Sequence, residues 1–178
     1  MAMRAIHRVI IAAAITGAIA MFVVGTASAS SVHFKSRSGA SFTDNGLTLS
    51  ASGALAGLGN GDVLVSLTAT GNPTALCTNP GGNAAAGQNP AAVTVGGTQA
   101  IPSSAVKNGT VTISVTTEPP AQPTAQQAGC PNNNWSATIT DVAFTSASLS
   151  ISQNGQVVLT ASCTFSPPTT NGSVTATC

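Results

Sequence analysis

The stretch Ser146-Ala147-Ser148-Leu149-Ser150-Ile151-Ser152-Gln153-Asn154-Gly155-Gln156-Val157-Val158-Leu159 decides the fold class. Apolar Ala147, Leu149 and Ile151 alternate with serines, the period of a strand with one face buried. Asn154-Gly155 then accepts the positive φ of a tight type I′ turn, so the chain reverses into a second strand. Val157, Leu159, Ala161, Cys163 and Phe165 are expected to share one face of that strand.

The same alternation recurs upstream. Leu47, Leu49 and Ala51 alternate with Thr48, Ser50 and Ser52. Val63, Val65, Leu67 and Ala69 alternate with Leu64, Ser66 and Thr68, and Val111, Ile113 and Val115 with Thr110, Thr112, Ser114 and Thr116. No segment after residue 30 carries a 3.6-residue apolar period. Gly57 to Asp62 reads as a hairpin loop joining the first two of these stretches, and Lys107-Asn108-Gly109-Thr110 as a further turn. Near Asp141 the parity slips from Ile139 to Val142 and Phe144, which predicts a bulge or a strand changing sheets. Asn79–Pro90 and Glu118–Asn134 read as loops. The expected fold is all-β: a two-sheet antiparallel sandwich, Ig-like or a related Greek key, following an N-terminal signal helix.

The signal reading rests on the first 29 residues. Arg4 and Arg8 precede an apolar run from Val9 to Val24, and Ala27-Ser28-Ala29 offers an A-x-A cleavage site. The run is short for a membrane span and Thr16-Gly17 interrupts it. Cleavage after Ala29 is expected to leave residues 30–178 as a single secreted domain, off the membrane.

Charge narrows the function classes. The chain of 178 residues has 5% charged residues, against about 25% in an ordinary soluble domain. Beyond residue 29, Lys35, Arg37 and Lys107 face Asp44, Asp62, Glu118 and Asp141, a net charge of −1. Nucleic acid is excluded as a partner, because its binding needs many Lys and Arg. The apolar excess belongs partly to the signal; what remains is rich in Ser, Thr, Asn, Gln and Gly.

Cys77, Cys130, Cys163 and Cys178 all follow the signal. An even number in an exported chain predicts two structural disulfides, and the spacings lack the close pairs of a zinc site. Cys163–Cys178 is favoured, because a turn at 167–172 would return Ser173–Cys178 antiparallel to the strand carrying Cys163. Cys77 then pairs with Cys130.

The strings SGALAGLGNGDVLVSLTATG, CTNPGGNAAAGQNP and NNNWSATITDVAFTSASLSISQNGQVVL resemble a group of small secreted bacterial proteins of unknown function, typical of Gram-positive soil bacteria. The resemblance spans most of residues 45–160. It implies secretion and a single domain, and it transfers no site residue.

Catalytic side chains are scarce. His33 is the one histidine beyond the signal and is expected to be an exposed strand or tail residue. Asp44-Asn45-Gly46 and Asn60-Gly61-Asp62 sit at turn-like positions, where Asp and Asn bond nearby backbone. A weak calcium site from Asp44 and Asp62 is the sharper alternative. Trp135 is expected in the core near a disulfide. Asn108-Gly109-Thr110, Asn134-Trp135-Ser136 and Asn171-Gly172-Ser173 match the glycosylation acceptor, as a composition rich in Asn, Ser and Thr makes frequent.

The residues therefore lead to an expectation of a non-catalytic structural or binding protein of the bacterial cell surface or matrix. No cofactor, catalytic residue or metal ligand is expected. The expected partner is a protein or cell-surface component, a second copy included. A small-ligand carrier or inhibitor with an Ig-like fold is the alternative, and a secreted hydrolase the next.

Overall fold

A computed structural model describes residues 31–178 apart from Asn89. Residues 1–29, read from the sequence as a signal, lie outside the described residues. Ten strands follow in order: β1 (His33–Phe34), β2 (Ser41–Asp44), β3 (Leu49–Ala56), β4 (Val63–Thr78), β5 (Ala84–Ala86), β6 (Val93–Ile101), β7 (Val111–Thr116), β8 (Ser136–Gln153), β9 (Gln156–Thr164) and β10 (Gly172–Val174). One 3₁₀ turn, Ser103–Ala105, lies between β6 and β7.

All pairings are antiparallel, and they form two sheets. In the first, β3 has β7 on one edge and β2 then β1 along the other, with β10 outside β2. In the second, β4 pairs β8 along its whole length, β9 lies outside β8, and β6 and β5 share the other edge of β4. At one corner the two sheets meet: the Glu118 amide donates to the Gly96 carbonyl at 2.8 Å, and the Ser114 amide to Gln99 Oε1 at 2.9 Å. The order β8-β4-β6-β7 is that of a Greek key.

The core holds most of the inward residues the alternation marked, together with others such as Phe42, Leu55 and Ile101; Leu47 is only half-buried. Leu49, Leu55, Leu67, Ile113, Leu149, Ile151 and Phe144 are fully buried between the sheets. Phe42 and Phe165 meet edge to face, their centroids 5.4 Å apart. Asn154 and Gly155 both have positive φ, as the β8–β9 hairpin requires, and so do Asn108 and Gly109.

Several expectations need correction. Residues 57–62 do not form a hairpin, because β3 and β4 belong to different sheets. The segment is a sheet-to-sheet connection held by buried Gln153, whose Oε1 accepts the Gly59 amide and whose Nε2 donates to the Gly59 and Gly61 carbonyls. Part of the 79–90 loop is strand: Ala84–Ala86 pairs with Leu76–Thr78. The slip near Asp141 is a bulge, and a second follows at Thr145, yet β8 stays in one sheet throughout. A bulge also interrupts β8–β9 between Ile151 and Ser152, so Val157 leaves the core face and stands 64% exposed.

β4 is longer than the alternation through Ala69 suggests, and it runs through Pro73. That proline lies between the stretches paired with β6 and with β5, where the strand has one neighbour. Its missing N–H therefore breaks no ladder bond on that edge.

Both disulfides form, Cys77–Cys130 and Cys163–Cys178. The second arises by a different route from the one expected. Residues 172–174 pair with β2 of the opposite sheet, and contact with β9 is a single bridge between Thr164 and Thr177. The bridge and the disulfide join the two sheets at the edge opposite the β6–β7 corner.

Candidate functional site

Of the ionisable groups among the described residues, Asp44 and Asp141 come together around Gly46. Gly46 has a φ of +84°, and a Cβ placed on it would stand 3.5 Å from both Asp141 Oδ1 and Asn171 Oδ1. Asp44 lies beside it, its Oδ1 accepting the Gly46 amide at 2.8 Å. This is the turn geometry the sequence implied, but the burial is not: Asp44 is 3% exposed. Its Oδ2 accepts the Thr169 hydroxyl, which in turn accepts the Phe144 amide at 2.8 Å. Both carboxylate oxygens are engaged within the protein, so Asp44 serves to tie segments together rather than to meet a substrate.

Asp62 is elsewhere. Its Oδ1 accepts the Ser103 amide at 2.8 Å, capping the segment after β6. It adjoins Val63, which pairs with Gln153, whereas Asp44 sits by Asp141. Traversing β8 between those two points covers roughly 40 Å at the usual strand rise. The calcium pair suggested by the sequence is therefore not assembled, and no group of three His, Cys, Asp or Glu that could hold a metal exists among the described residues.

His33 is exposed in β1, its Nδ1 2.7 Å from the Ser31 carbonyl. Glu118 is exposed just after β7. Trp135 is half-buried and packs not in the main core but in a small second cluster with Ala75, Cys77, Cys130 and Ala128. Its expected place beside a disulfide is correct, and the disulfide is Cys77–Cys130.

The outer face of the second sheet is chemically uniform. Register aligns Thr98, Ser66, Ser150 and Thr160 in one row across β6, β4, β8 and β9. The next rows are Gly96, Thr68, Ser148 and Ser162, then Thr94, Thr70, Ser146 and Thr164. Every one of these residues is exposed or half-buried. Rows along a strand repeat at about 6.8 Å and strands at about 4.8 Å, giving a grid of hydroxyls. No charged side chain interrupts it. At its far end Ala100, Leu64, Ser152 and Val157 form a more apolar row, beside an open depression that Asp62, Pro102 and Asn154 also line.

The alternation named outward residues of β4 and β8 singly, named none of β9, and did not mark β6 (Val93–Ile101) as a strand. It could not reveal the rows, because rows depend on register between strands distant in sequence. Compared with known proteins, the chain matches no family model and no curated sequence.

Proposed function

We propose that the protein is an exported, non-catalytic structural or binding module of the bacterial cell surface or extracellular matrix. Its contact surface is the outer face of the β6-β4-β8-β9 sheet, and its partner is a neutral, hydroxyl-rich polymer of that matrix. The hydroxyl grid is the observation that carries this reading. A neutral polymer needs no counter-charge and exchanges donors and acceptors with Ser and Thr in either sense. The two disulfides support export.

A carrier would hold its ligand in a cleft between the sheets. That space is filled by Leu49, Leu67, Ile113, Phe144 and Leu149, which favours a surface binder over a carrier.

Co-sedimentation with insoluble cell-wall polysaccharide tests the proposal. The oxidised protein is expected in the pellet, and the Ser66→Lys/Ser148→Lys variant in the supernatant. Wild-type protein left wholly in the supernatant, or a folded variant that pellets equally, overturns it.

A further inference from the structure

We infer that two copies of this chain pair edge to edge through β9, forming a two-fold dimer and no larger assembly. The reasoning starts from Thr164. Its amide and its carbonyl both bond to Thr177, at 2.9 and 3.0 Å, so they point away from β8. The Phe165 amide next to it bonds to the Thr145 carbonyl on the β8 side. Backbone groups alternate sides along an antiparallel strand. Ser162 and Thr160 therefore also direct their N–H and C=O groups outward, and β9 pairs with no strand but β8 among the described residues.

This edge has one of the usual protections, the bulge at Val158 near its start, and lacks the others beyond it. Gln156–Thr164 contains no charge and no proline, and it is nine residues long. Proteins commonly guard such edges with Lys, Pro or a very short strand. Among the described residues the other edges are short or engaged: β1 has two residues, and β8 ahead of β9 bonds to Gln122, Gly46 and Thr169. β6 is covered by β7 at the corner, where the Thr116 carbonyl lies 1.9 Å from where a Cβ on Gly97 would stand. β10 has three residues and β5 has three.

One long open edge fixes the occupant and the symmetry. An antiparallel strand is complementary to a second copy of itself, and the uncharged edge carries nothing to repel that copy. A single such edge gives an isologous contact that closes at two. Thr177 occupies the position beside Thr164 and the bulge at Val158 ends the regular strand, so the paired strands meet over residues 159–162, close to Thr160. The hydroxyl grid then continues from one copy into the next. This goes beyond the polymer-binding reading and does not need it, because oligomeric state and polymer retention are separate readouts.

Sedimentation equilibrium of oxidised chain 30–178, taken to about 1 mM, tests the inference. The contact is mostly main-chain and small, so a weak, concentration-dependent dimer is expected. Thr160→Pro removes an outward N–H and leaves the β8 ladder intact. Ser162→Lys places a charge where two copies meet. Each is expected to weaken association at least about tenfold. A wild-type monomer at every concentration, a species larger than a dimer, or undiminished dimer in a folded variant overturns the inference. If Thr160→Pro does not fold, Ser162→Lys decides alone.

Discussion

Thr169 joins the two sheets through Asp44. Its hydroxyl donates to Asp44 Oδ2 on β2 and accepts the Phe144 amide from β8, while its own amide donates to the Phe144 carbonyl at 2.9 Å. Thr169→Val keeps the side-chain shape and removes the hydroxyl. It strands a buried carboxylate oxygen and a buried amide, each of which costs about 1–3 kcal/mol to leave unpaired. A loss of about 3 kcal/mol is expected in urea unfolding, read as a lower midpoint at unchanged slope. A loss below about 0.5 kcal/mol would mean that neither group depends on Thr169.

That link was hidden in the sequence, and the reason is distance. Asp44 and Thr169 are 125 residues apart, and nothing local distinguishes a turn aspartate facing water from one facing a partner strand. Strands β3, β4, β7 and β8 were legible because alternation reports burial directly, whereas β6 was not, since Gly97 and Gln99 stand where its inward apolar residues would continue. Ala84–Ala86 was not, since three alanines have neither alternation nor β-branching. Val157 was misplaced by the bulge at Ile151/Ser152, because one extra residue reverses parity without any mark in the sequence. Residues 57–62 resemble a hairpin loop in composition, and composition does not say in which sheet the next strand lies. The disulfide partners were recovered although β10 joined the other sheet, since the turn at 167–172 returns the chain in either arrangement.

Adjacent glycines in β6 should differ sharply on substitution. A Cβ on Gly97 would stand 1.9 Å from the Thr116 carbonyl oxygen and 2.9 Å from Thr117 Cα, both backbone. Neither can move without opening the β6–β7 corner. Gly96 faces outward, and its nearest neighbour would be the Leu67 carbonyl at 3.6 Å. Gly97→Ala is expected to cost about 1–3 kcal/mol through overpacking, and Gly96→Ala to stay within about 0.5 kcal/mol of wild type. Thermal unfolding of the two variants in parallel checks this. Equal melting temperatures would refute the close approach at the corner.

The two disulfides close loops of unequal length, with sequence separations of 53 for Cys77–Cys130 and 15 for Cys163–Cys178. By loop entropy they contribute about 4 and about 3 kcal/mol. Cys77→Ser/Cys130→Ser is therefore expected to destabilise more than Cys163→Ser/Cys178→Ser. It should also loosen the cluster around Trp135, which packs on that disulfide. Trp135 fluorescence is expected to shift to longer wavelength in the first variant and to hold in the second. The reverse ranking in urea would show that strain or residual unfolded structure outweighs chain entropy here.

Cleavage after Ala29 is compatible with what the first described residues do. Val32 is buried at the edge of the core, and His33 and Phe34 pair with Ala56 and Leu55. The Ser31 carbonyl lies 2.3 Å from where a Cβ on Gly57 would stand, so the backbone is already packed at that point. A cut at Ala29 spares all of these contacts, whereas one beyond Val32 would remove a core residue and shorten β1. Intact mass spectrometry of protein exported by a bacterial host is expected to give residues 30–178 less four hydrogens, two for each disulfide. Recovery of a chain that still carries residues 1–29 would refute the cleaved-signal reading, and a chain beginning beyond Val32 would refute the assignment of the cut to Ala29.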